Sequence, residues 1–126
     1  MSTRCVVNFG YNDEVEAKIY RHSDGYPEGV LPDLKTFFSD VKKQTQDTRF
    51  DDPTYLAAKF VVWQANKYAY HYKDGKRRRS KRLDFLSVGV VMQNPLDIEY
   101  EYFVNCSKFD AAGFPTVMYK PPLVEA

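Results

Sequence analysis

The side chains best equipped for chemistry stand together between Tyr20 and Leu34, in the stretch YRHSDGYPEGVLPDL. Arg21 is a forked donor suited to a phosphate or a carboxylate. His22 can donate or accept a hydrogen bond. Tyr26 offers a ring to stack on and a hydroxyl. The Asp24-Gly25 and Glu28-Gly29 pairs let a backbone come close to a ligand. A helix N-terminus just beyond them adds partial positive charge suited to an anion. Arg21, His22, Asp24 and Tyr26 are therefore the candidate ligand-binding residues. They also have a purely structural reading, in which Asp24 caps the turn, Tyr26 packs under it and His22 lies on the surface.

Catalysis asks more of the same residues. His22 and Asp24 could form an acid–base pair with Ser23 between them and His71 brought in by folding. Residues adjacent in sequence rarely form a triad, since strand neighbours point to opposite faces. Gly-x-Ser-x-Gly, the P-loop, Gly-x-Gly-x-x-Gly and His-Glu-x-x-His are all absent from the sequence. Binding without turnover is the favoured reading, and no catalytic residue is assigned. A metal site from His22, Asp24 and His71 is the weakest of these readings. Cys5 and Cys106 form no Cys-x-x-Cys, so no metal and no cofactor are expected.

A second chemical feature is the run Lys73 to Arg82, KDGKRRRSKR. Net charge is only +1, so this basic run sits on an otherwise acidic chain. Lys76, Arg77, Arg78 and Arg79 are candidate phosphate contacts, by charge rather than by sequence. No aromatic is interleaved within the run, which weakens a stacking site for single strands. Its bland reading is a solvated loop.

The elements that must position these residues follow from periodicity. Arg4–Phe9 and Val15–His22 alternate as two strands of a hairpin joined by Gly10–Glu14. The alternation places Arg21 on the apolar face, where a charge must find a partner or an anion. A first helix opens at Pro32, with Leu31, Leu34, Phe38 and Val41 as its stripe, widened by Phe37. Asp52-Pro53 starts a second helix that runs to about Tyr72, with Asp52 as N-cap. Its apolar stripe is wide enough to meet two surfaces: the sheet and the first helix, or another subunit. Asp74-Gly75 stops it. Leu83–Gln93, Ile98–Val104 and Pro115–Tyr119 then read as strands, with Asn105–Gly113 a longer turn. Gly89 in mid-strand suggests a bulge or a close approach by something else.

The fold class is therefore α+β. A mainly antiparallel sheet of five to six strands carries two consecutive helices between strands 2 and 3, in a single domain over residues 1–126. The aromatic fraction of 16% fits interfaces or a stacking pocket, though a Tyr-rich sheet explains it more simply. No apolar run spans a bilayer, and both cysteines fall in strands as buried free thiols. A soluble protein of a reducing cytoplasm is expected.

The Tyr-Arg-His-x-Asp-Gly-Tyr-Pro segment resembles one carried by small proteins of bacteriophages and mobile elements. The element order also looks like that of phage-encoded anti-Thoeris proteins, which sequester cyclic ADP-ribose signals in an oligomer. That resemblance implies a non-enzymatic sponge for a phosphate-bearing nucleotide signal in a host cytoplasm. Arg21 and His22 would be its carried-over contacts, and the second helix its assembly surface. The alternative is a nucleic-acid-binding or protein-interaction module built on segment 76–82.

Overall fold

The computed structural model describes residues 2–68, 70–79 and 86–126, and only the backbone of residues 70–73, 77 and 79. The chain runs β1 (Cys5–Gly10), β2 (Val15–Arg21), α1 (Pro27–Gln44), α2 (Pro53–Tyr68), β3 (Tyr70–Lys73), β4 (Lys76–Arg79), β5 (Val88–Val91), β6 (Tyr100–Phe109), β7 (Pro115–Lys120) and β8 (Val124–Glu125). Six strands form the main sheet, in the order β5-β2-β1-β6-β7-β8. The helices do fall between the second and third strands, as the α+β reading holds. Among the described residues no helix is long and apolar enough to cross a membrane.

The sheet is mixed rather than antiparallel throughout, because β6 runs parallel to β1. The cause is the connection after β5. Residues 92–99 leave the sheet edge, cross the face away from the helices, and enter beside β1. Three strand spacings make about 14 Å, well within the reach of about 27 Å of eight extended residues. Asn94 anchors this crossing by donating to Glu101 and accepting from Lys18 at 2.8 and 3.0 Å. All of β1 is consequently buried, on both faces.

On the other face, Cys5, Val7, Phe9, Ile19, Tyr102 and Val104 pack against both helices. Phe60 of α2 meets Phe9 of the sheet and Phe37 of α1, with centroids 5.6 and 5.3 Å apart. Trp63 donates to Asp40 of α1 at 2.8 Å. The wide stripe of α2 is thus used by the sheet and by α1. Asp52 caps α2, accepting the Tyr55 N–H at 3.4 Å. Both cysteines are buried free thiols, and burial pushes each up to about 12.

Several element limits differ from the sequence reading. α1 begins at Pro27, with Tyr26 at the N-cap, so Pro32 lies inside it near the start. α2 ends at Tyr68, and β3 takes the residues that continued its pattern. Tyr70 and Tyr72 suit a strand as well as a helix. Asp74-Gly75 decides between them: φ values of 53° and 72° make a two-residue hairpin turn rather than a helix stop. After the ribbon, the described part of Leu83–Gln93 holds the strand Val88–Val91, and Leu83–Phe85 lie outside the described residues. The expected Asn105–Gly113 turn is shorter, since β6 continues to Phe109.

Gly25 fixes the junction between β2 and α1. Its N–H donates to Thr3 O at 2.9 Å, and its carbonyl accepts from the buried Tyr102 hydroxyl at 2.7 Å. A Cβ there would stand 2.8 Å from Thr3 O and 2.9 Å from the Cys5 Cβ. Gly25→Ala should therefore cost about 1–3 kcal/mol of stability, read as a lower urea midpoint at unchanged m-value.

Candidate functional site

Arg21 enters the helix side of the sheet, as alternation requires, and is 3% exposed. Its partner is Asp33 in the second turn of α1. Arg21 Nη1 donates to Asp33 Oδ2 at 2.8 Å, and Arg21 Nε donates to Ser23 O at 2.8 Å. Two groups from the last turn of α2 complete the cluster. Lys67 Nζ donates to Asp33 Oδ1 at 2.8 Å, and the Tyr68 hydroxyl donates to Asp33 Oδ2. The Tyr68 ring lies 5.5 Å from the Arg21 guanidinium and 5.3 Å from the Lys67 ammonium.

Burial alone would raise the Asp33 carboxyl. Hydrogen bonds from Lys67, Tyr68 and Arg21, with the Arg21 charge, outweigh it and hold the group below its ordinary value. The Asp33 contact in turn raises Lys67. Arg21 is thus a structural ion pair at its buried end. Sequence reasoning required a partner for Arg21 but missed Asp33. The available signal was an acid within the apolar stripe of α1, between Val30, Leu34 and Phe37.

His22, Asp24 and Tyr26 lie on the surface at the same corner. His22 Nδ1 shares a 3.0 Å hydrogen bond with the Tyr20 hydroxyl, while Asp24 accepts from the Tyr26 hydroxyl at 3.2 Å. His22 and Asp24 thus turn to different partners. Tyr26 makes no side-chain cap on α1. Asp24 holds a left-handed backbone, φ 55°, at the sharp entry to the helix. Among the described residues no group of three His, Cys, Asp or Glu is placed to hold a metal ion.

The basic run is a strand over Lys76–Arg79, where a loop was expected; Ser80–Arg82 lie outside the described residues. β3 and β4 form a two-stranded ribbon separate from the main sheet. Its register pairs Tyr70 with Arg79, His71 with Arg78, Tyr72 with Arg77 and Lys73 with Lys76. Residues directly opposite share a face of a ribbon. Positions 70, 72, 77 and 79 therefore alternate aromatic and arginine on one face. In backbone register, though not along the sequence, aromatic and basic positions stand opposite one another across the hairpin. Lys76 and Arg78 are exposed.

The two features singled out in the sequence meet at one end of the molecule. The chain leaves for the ribbon just after Tyr68, which is bound to Asp33. It returns at Ser87, whose carbonyl accepts the His22 N–H at 3.1 Å. The ribbon is thus rooted at the corner that carries His22, Asp24 and Tyr26. Clefts of about 420, 430 and 640 Å³ lie elsewhere: at the Gly10 end of β1, between α1 and α2, and between α1 and β7. None of those is lined by Arg21, His22, Asp24 or Tyr26.

A second polar network, on the far face, also escaped sequence reasoning. Glu101 accepts from Asn8 and Asn94 at 2.9 and 2.8 Å, with Lys18 and Lys120 at 3.6 and 3.4 Å. Burial would raise Glu101, but those partners hold it below its ordinary value. The network closes the crossing of residues 92–99 over β1. Comparison with protein-family models, curated proteins and solved structures gives no match.

Asp33→Ala should cost about 3–5 kcal/mol, because it strands the buried Arg21 charge. The pH dependence follows from the lowered carboxyls of Asp33 and Glu101. Their stabilisation is complete above the ordinary values of 3.8 and 4.5 and is lost as pH falls through the folded-state values. Unfolding free energy should be level near neutrality and fall on acidification. Denaturant titrations across a pH series should show a shallower acid slope for Asp33→Ala.

Proposed function

We propose that this protein binds nucleic acid without chemistry, and that its contact element is the β3–β4 ribbon with the corner at its root. The observation that carries the reading is the ribbon's register, which alternates Tyr70 and Tyr72 with Arg79 and Arg77. Basic groups neutralise phosphates, and aromatic rings give bases a surface to stack on. An open ribbon suits an extended polymer, whereas a small ligand asks for enclosure. Lys76, Arg77, Arg78 and Arg79 are the phosphate contacts, and His22 and Tyr26 flank the path at the root.

A sequestered phosphate-bearing nucleotide, such as a cyclic signal held in a phage anti-defence sponge, is the second reading. The exposed Tyr26 and His22 beside the ribbon root favour it. The engagement of Arg21 by Asp33 counts against it, since a buried, paired guanidinium is poorly placed for a ligand phosphate.

Fluorescence anisotropy with labelled oligonucleotides tests the assignment. With about four phosphate contacts, affinity should fall roughly 50- to 150-fold between 50 and 200 mM salt. Changing Arg77, Arg78 and Arg79 together to Gln should remove most of the binding. Affinity that ignores both salt and the triple change would contradict the ribbon. If an intact nucleotide is instead released on denaturation, and its binding is lost on His22→Ala, the second reading stands.

A further inference from the structure

The two ends of the main sheet are treated differently. β8, at one end, is two residues long, includes Glu125 and follows Pro121-Pro122. Those are the devices by which natural edges avoid pairing. β5, at the other end, has none of them. It reads Val88-Gly89-Val90-Val91, with no charge and no proline. Its register against β2 is unbroken, so no bulge turns it away. Among the described residues it has a strand partner on one side only. Val90 is 78% exposed, which is unusual exposure for an apolar side chain on a strand.

Gly89 sharpens the point. Its backbone is not left-handed, and a Cβ built there would meet nothing within 4 Å. Neither conformation nor packing within the described chain calls for glycine at this position. The missing side chain leaves space on the strand that something outside the chain can fill.

We infer that β5 is the docking edge for a second copy of this chain, paired antiparallel about a two-fold axis at Val90. A two-fold axis normal to the sheet keeps each face on its own side. Directly opposed residues must then lie an even number apart. With the axis at Val90, Val90 faces its own counterpart and Gly89 faces Val91. The space beside Gly89 receives the Val91 side chain from the other copy. The exposed Val90 is covered. The strand is uncharged, so self-pairing opposes no like charges. The contact is the same patch on both copies, as a closed dimer requires. It would join two main sheets into one, with both helix layers on the same side. The inference is independent of what the ribbon binds, and it places assembly at β5 rather than on α2.

Sedimentation velocity over a concentration series tests it on the full chain. The expected result is a reversible dimer. Val90→Lys, which sets two ammonium groups face to face, should weaken it by about tenfold or more. Gly89→Leu should also weaken it while leaving thermal stability intact, because the site is open in the single copy. Val90→Cys should form a disulfide-linked dimer on oxidation, and Leu123→Cys should not. A native chain that stays monomeric, or a dimer indifferent to Val90→Lys and Gly89→Leu, would overturn the proposal.

Discussion

The buried ion pair between Arg21 and Asp33 is the interaction on which this architecture turns. It joins the end of β2 to the second turn of α1, and through Lys67 and Tyr68 it holds the last turn of α2. A buried charge without its partner is unfavourable by several kcal/mol. The three elements must therefore meet in one arrangement for any of these groups to be satisfied. Tyr68 is at once the end of α2, a partner of Asp33 and the last helical residue before the ribbon. The ion pair thus sets where the ribbon leaves the domain.

That arrangement explains why a chain with almost no net charge can present a basic element. Acidic residues are spread over the domain, while the basic residues of 73–79 are drawn out on a hairpin that belongs to no strand of the main sheet. Local charge density, rather than net charge, governs contact with a polyanion. The hairpin also places tyrosine positions of one strand opposite arginine positions of the other in backbone register. Asp74 and Gly75 do this with their positive φ values. The candidate surface is therefore a property of the turn as much as of the basic run.

Much of the frame was legible in the sequence. Alternation in Arg4–Phe9, Val15–His22 and Ile98–Val104 marks strands because a two-residue period separates a buried face from a wet one. The Asp52-Pro53 start of α2 was legible because capping is local chemistry. What was not legible depends on distant partners. Tyr70 and Tyr72 fit either period, and only pairing with Arg77 and Arg79 makes them a strand. Pro27 and Pro32 both suit a helix start, and the choice rests on how Gly25 is held by Thr3 and Tyr102. The parallel placement of β6 comes from a loop crossing the far face, which no local pattern encodes. At the site, the inward position of Arg21 was readable, but the identity of its partner required α1 to be placed in space. The exposed His22, Asp24 and Tyr26 were readable as a cluster. Their meeting with the ribbon root was not, since that depends on the chain returning at Ser87.

The most direct test of the central claim is an amide NMR titration of the full chain with a short oligonucleotide. The largest shifts should fall on residues 70–79 and on His22 to Tyr26, at one end of the molecule. Shifts confined to the cleft at the Gly10 end or to the groove between α1 and α2, with the ribbon silent, would contradict it.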